Sequence, residues 1–383
     1  MTDSIFDYIN WRGDLSLRQS SFNEVDGAIL AKLSYIPFEK VLEQGSPEAV
    51  SIADAAKKLF ALPNIEGAFM RKEDLPLLSA LAESPRFRNM GIFNCVNRFD
   101  PESQTQFYAI TIRLSESKIY VAFRGTDNTL VGWKEDFNMC FVCPVPAQRL
   151  AVEYLEGTAR DSVGRIIVGG HSKGGNLAVY AAAFCNSVAQ KRVQAVYNYD
   201  GPGFDDKVLS TAGYKSICGR VNTFVPQSSI IGMLLGHEEK YTIVHSYQNG
   251  ILQHDLCSWK VAQNRFCNLE TVDNSSRFID DTLKTWLSEM NYEEREKFVD
   301  GVYSVICETH INSIREMSSR RLANLRTVIK STQKLDDETR EAVLKALRLL
   351  VKSTKASLVR MIENREYKKK AFSKEKAFLT LQK

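Results

Sequence analysis

The chain is poor in histidine, with five in 383 residues, and it carries only eight cysteines and ten prolines. Cysteines this sparse, at irregular spacings, build no disulfide framework, so stability has to come from a buried core. The close pair Cys140-Phe-Val-Cys143 has no second pair and no histidine near it, short of the four ligands a structural zinc takes. Long apolar runs are missing as well: Leu177–Cys185 is among the longest, against the ~20 residues a membrane span needs. The first fourteen residues set Asp3, Asp7 and Asp14 against Arg12 alone, without the basic start and apolar stretch of a secretory signal. The expectation is a cytoplasmic chain.

What is present is ordinary globular material, 44% hydrophobic and 25% charged. The net charge of +4 is unevenly spread. From Arg360 to the end eight basic residues face three acidic ones, while the preceding part holds 42 basic and 43 acidic side chains. The plain reading of one such run is a solvated helical tail, and the functional one is contact with a protein or an anionic surface. Nothing in it specifies a nucleic acid.

Three regions follow from the patterning. Residues 1 to about 105 read as mainly helical and irregular, with apolar residues at helical spacing in Glu48–Phe60 and Leu75–Ala82. From about 106 to 262 short apolar strands alternate with helices. Phe107–Leu114 and Ile119–Phe123, joined by Ser115-Glu116-Ser117-Lys118, form a hairpin; Arg165–Gly170, Ala195–Tyr199, Arg220–Pro226 and Tyr241–His245 follow. Such alternation predicts an α/β fold with a mostly parallel sheet. Residues 263–383 lose the strand signal and read as a helical extension, with Val343, Leu347, Leu350 and Val351 as an apolar stripe.

The chemistry is concentrated in Arg165–Ala183, where Gly170-His171-Ser172-Lys173-Gly174 matches G-x-S-x-G between a strand and a small-residue helix. A turn that sharp strains the serine backbone and exposes the hydroxyl of Ser172. Glycines at 170 and 174 avoid collisions with the neighbouring strand and helix. The serine also sits at a helix N-terminus, so the N–H of Lys173 would face developing negative charge.

These residues, together with Val121–Asn138 (VAFRGTDNTLVGWKEDFN) and Gln253-His254-Asp255, resemble the class 3 lipases of the α/β-hydrolase superfamily. More closely, they resemble a bacterial family of uncharacterised class-3-lipase-like proteins. The resemblance spans roughly residues 25 to 262. It implies an α/β-hydrolase domain over 1–262 and a lipid or other carboxylic ester as substrate. It also implies that the turn at Gly125-Thr126 supplies the second half of an oxyanion hole, so that Thr126 joins Lys173. A lid would then occupy Asn128–Cys143, although its apolar residues fit a core equally well.

A serine hydroxyl needs a base. His254 lies in a loop after the last strand, where a hydrolase of this topology places its histidine, and it follows Ser172 in the usual chain order. His171 is read as structural. The acid is open. Where the resembled lipases carry an aspartate, this chain has Gln227-Ser228-Ser229, and Ser228 or Ser229 could orient His254 without supplying charge. Asp200, at the end of the strand after the nucleophile strand, either serves as that acid or merely starts the Gly201-Pro202-Gly203 turn. Glu238 and Glu239 read as solvated, and Asp255 is too close in sequence to fold back onto the His254 ring. The expected activity is a serine hydrolase acting on a small-molecule ester or lipid, with no metal or organic cofactor called for. The rival is a catalytically impaired member of the same fold that binds lipid or protein.

Overall fold

The computed structural model describes residues 3–127, 129–139 and 143–272, and beyond them 278, 282, 285–286, 289–308, 336–346, 348–349 and 352–353. Residues up to Val272 form one compact unit, and the described residues from 278 onward belong to a second.

The first unit opens with helices α1 (Ile5–Arg12) and α2 (Glu24–Leu33), then β1 (Val50–Ser51), α3 (Ile52–Phe60) and α4 (Asp74–Glu83). Capping boxes at Ser4/Asp7 and Asn23/Asp26 start the first two helices, each satisfying backbone donors that would otherwise lack partners. Strands β2 (Gly91–Asp100), β3 (Thr105–Ser115) and β4 (Lys118–Phe123) form an antiparallel meander. Helices α5 (Leu130–Asn138) and α6 (Pro146–Asp161) lead to β5 (Arg165–His171), α7 (Lys173–Phe184) and α8 (Ser187–Arg192). Then come β6 (Val193–Tyr199), β7 (Val221–Pro226), β8 (Tyr241–Val244) and the short strands β9 (Val261–Ala262), β10 (Arg265–Phe266) and β11 (Asn268–Leu269). The sheet runs β1-β2-β3-β4-β5-β6-β7-β8-β11. Strands β4 to β8 are mutually parallel, which makes this the expected mostly parallel α/β-hydrolase sheet.

The period-2 alternation of the central strands decides which helices cover which face. Tyr120, Ala122 and Ile167 join a core with α2, α3 and α4, while Ile119, Val121, Phe123, Ile166 and Val168 join another with α6 and α7. The N-terminal helices are thus a full structural layer. Inside it, Asp26 accepts from Arg86 through both oxygens, at 2.7 and 2.5 Å, and from the Tyr8 hydroxyl at 3.0 Å. Asp26 and Arg86 are fully buried. Removing one member of such a pair strands the other charge away from water, so Asp26→Ala is expected to cost about 3–5 kcal/mol. The measurement is the urea midpoint, and an unchanged midpoint would show that the pair carries no net weight.

Two strand assignments need correction. Gly91–Asp100 lies in the stretch expected to be helical and irregular, yet it is the ten-residue strand β2. A register break between Phe93 and Val96, with Asn94 at φ 49°, hides its alternation. Residues 265–269 add β10 and β11 past the point where strand signals fade; two-residue strands are too short to show a period. Elsewhere the expected hairpin and the four later strands stand where the patterning put them.

In the second unit the helix Tyr292–Glu308 presents Phe298 to Trp286, with ring centroids 5.3 Å apart, and the Trp286 indole donates to the Ala346 carbonyl at 2.8 Å. Val343 and Ala346 are buried there. Leu347, Leu350, Val351 and the basic run 360–383 lie outside the described residues. No described helix is long and apolar enough to cross a membrane.

Candidate active site

Ser172 stands between β5 and α7 with φ 58° and ψ −131°, a conformation that L-residues avoid. The surroundings hold it there: its N–H donates to the Tyr199 carbonyl at 2.9 Å and its own carbonyl accepts from Gly175 at 2.8 Å. The two motif glycines have the steric reason expected of them. A Cβ on Gly170 would lie 2.2 Å from the Gly174 carbonyl oxygen, and one on Gly174 would lie 2.1 Å from that of Phe123. Helix and strand therefore close on the turn with no room for side chains, leaving the serine side chain at the carboxyl ends of the strands, where α/β sheets hold ligands.

His254 comes to the same end of the sheet. Its Nδ1 lies 2.6 Å from Oδ2 of Asp200, which is 1% exposed, while the imidazole is 18% exposed. Asp200 both makes the turn, with φ 53°, and aims its carboxylate at the histidine, so the two readings of this residue are compatible. Its other oxygen, Oδ1, accepts from the Ser229 hydroxyl at 2.5 Å and the Gly232 N–H at 3.2 Å. Ser229 thus reaches the acid, and Ser228 is tied to Gln253: its N–H donates to Oε1 at 2.8 Å and its hydroxyl accepts from Nε2 at 3.3 Å. Asp255 points the other way, toward Lys32 at 3.4 Å and Arg71 at 3.7 Å. Burial pushes its carboxyl up, and the two cations outweigh that and hold it below the ordinary range.

Glu239 corrects the sequence reading. Glu238 is exposed, but Glu239 is buried and accepts from Thr223 at 2.6 Å and from Tyr214, with the His237 ring at 3.0 Å. Burial alone would raise its pKa; these three partners more than offset that and bring it to about 2. His237 also bonds the Gly232 carbonyl at 2.8 Å, so this cluster props the loop that holds Asp200.

The turn Gly125-Thr126 packs on the elbow: a Cβ on Gly125 would come within 2.6 Å of the His171 carbonyl and 3.1 Å of the Ser172 Cβ. The Thr126 hydroxyl donates to Asp136 on α5, which leaves its N–H as the donor able to serve an oxyanion. Burial raises Asp136 to about 6, against the pull of Lys173 and Thr126. Its neighbour Glu135 meets the Lys173 ammonium at 2.9 Å in a fully buried pair, and Lys173 also donates to the carbonyl and side chain of Gln106 at 2.8 and 2.7 Å. Helix α5, in the position of the expected lid, is therefore anchored to the first residue of α7. Sequence reasoning missed both carboxylates; the signal was the charged run Lys134-Glu135-Asp136 set among apolar neighbours. Among the described residues no group of His, Cys, Asp and Glu gathers in a way that could hold a metal ion, and Cys140 lies outside them.

No curated protein matches this chain. Among solved structures it is similar to a fungal lipase in an inhibitor complex (15% identity over 53% of this chain and 83% of that one, TM-score 0.33). It is also similar to M37 lipase (13%, 56% and 70%, TM-score 0.33) and to the Rhizomucor miehei lipase in its propeptide complex (15%, 67% and 76%, TM-score 0.36). The family model described as Mbeg1-like matches residues 81–304, more than half of the sequence and the whole run from β2 to the elbow and the His254 loop. The chain belongs to the Mbeg1-like family.

Proposed function

We propose that this chain is a serine hydrolase that cleaves a carboxylic ester through an acyl-enzyme on Ser172. The observation that carries the reading is the 2.6 Å bond between His254 and the buried Asp200, at the same end of the sheet as a serine held at a strained elbow. With Nδ1–H donated to Asp200, Nε2 is the basic nitrogen, and it takes the proton of the Ser172 hydroxyl as the oxygen attacks the acyl carbonyl. The N–H groups of Thr126 and Lys173 receive the oxyanion, an arrangement in which one donor is worth ~2.7–4 kcal/mol in comparable sites. The imidazolium, stabilised by Asp200, protonates the leaving alcohol, and the same nitrogen then activates the water that releases the acid.

The rival reading of an impaired binding module drew on the absence of an acid at the expected position, and the Asp200–His254 bond weighs against it. Ester and lipid as substrate classes rest on the resemblance to class 3 lipases. The test is labelling of the full chain with a fluorophosphonate probe. A stoichiometric adduct mapping to Ser172 is expected. A folded protein that hydrolyses no p-nitrophenyl ester and takes no label would return the binding module to first place.

A further inference from the structure

We propose that His171 is a positioning residue for His254: a neutral imidazole that clamps the main chain of the base, with its tautomer set by Tyr35. The catalytic consequence rests on the hydrolase reading above; the clamp itself does not.

The contacts place one proton on the ring, and burial keeps off a second. Nε2 of His171 lies 2.7 Å from the His254 carbonyl oxygen, which can only accept, so Nε2 carries the hydrogen. Nδ1 lies 2.9 Å from the Tyr35 hydroxyl. His171 is 1% exposed, and burial, followed by the charges of His254, Arg71 and Lys32, holds its pKa well below the ordinary imidazole value. A neutral ring with its proton on Nε2 accepts at Nδ1, and Tyr35 is the donor. Tyr35 is itself fixed: it is 2% exposed, and the Lys32 ammonium and Arg71 guanidinium lie 5.5 and 5.6 Å from its ring centroid.

The consequence is a base gripped through the end of β5 on one side and by the N-terminal layer on the other. His171, bonded in turn by Tyr35, holds the carbonyl of His254, and Lys32 and Arg71 hold the carboxylate of the next residue, Asp255. The two imidazoles lie 4.5 Å apart, centroid to centroid. Because His171 precedes Ser172, one peptide fixes the nucleophile while its side chain fixes the base.

The test reads the His254–Asp200 hydrogen bond directly. A short imidazole–carboxylate bond gives a far-downfield proton resonance, assignable by its loss in His254→Gln. Variants His171→Leu, His171→Gln and Tyr35→Phe are compared with the wild type by this resonance, with thermal unfolding as the control for folding. Leucine removes the clamp, so the resonance is expected to shift or vanish. Glutamine can present an amide N–H to the same carbonyl and is expected to retain it. Tyr35→Phe, the mildest change, is expected to move it even if the leucine variant fails to fold. In ester hydrolysis the leucine variant should lose ~100-fold in kcat with KM within about twofold, the mark of a misplaced catalytic group rather than lost binding. An unmoved resonance in folded His171→Leu, or in Tyr35→Phe, would overturn the clamp. A resonance that responds in a protein with no esterase activity would uphold the clamp and remove the hydrolase reading.

Discussion

Ser172→Ala is expected to lower kcat for p-nitrophenyl ester hydrolysis by ~10⁶-fold, the scale seen when a triad nucleophile is deleted. KM should stay within about twofold, because the acyl group and the oxyanion donors do not depend on the missing oxygen. The substitution is a clean one here. The strain at φ 58° lies in the backbone, and alanine keeps the Cβ. Stability should therefore be close to that of the wild type. A folded Ser172→Ala protein retaining more than about a hundredth of the activity would assign hydrolysis to another nucleophile or to contamination.

Asp200→Asn should cost ~10⁴-fold, as the same neutral-for-charged change does in a protease triad. The environment of this carboxylate explains why asparagine would fail so completely. Oδ1 is held by two donors, the Ser229 hydroxyl and the Gly232 N–H, while Oδ2 faces His254. An asparagine in this site would turn its carbonyl oxygen to those donors, leaving its NH₂ against Nδ1 of the imidazole. Nδ1 would become an acceptor, the ring proton would move to Nε2, and the base would have no lone pair for the serine. The readout is steady-state kinetics beside a thermal melt. If Asp200→Asn keeps more than about a tenth of the wild-type rate while folded, Asp200 is a turn residue and not the acid.

The legible parts of the site were the local ones. The G-x-S-x-G elbow could be read because its pattern, a strand, two spaced glycines and a small-residue helix, is contiguous in sequence, although the Phe123 and Tyr199 carbonyls that close on it are distant. The parallel strands could be read because strands buried on both faces are continuous apolar runs. Where a strand broke its own pattern, as β2 does at Asn94, the periodic signal failed. Glu239 was misread for a related reason. Its neighbours Glu238 and Lys240 are exposed, and nothing adjacent reveals that Tyr214, Thr223 and His237 converge on its carboxylate.

The amino-acid order on its own determined the strained turn that presents Ser172, the proposed nucleophile, the mostly parallel sheet and the place of His254 in the loop after β8. Tertiary structure alone paired Asp200 with His254, because they are 54 residues apart in sequence and meet only where β6 and the loop beyond β8 end on the same side of the sheet. It also decided that Ser229 bonds Asp200 rather than His254, that Asp136 takes the Thr126 hydroxyl, and that His171, bonded by Tyr35, meets the His254 carbonyl. The reason is physical. A local motif is specified by steric limits among adjacent residues, whereas the partner of a buried charge or donor is chosen by whichever distant segments the packed sheet brings within hydrogen-bond reach.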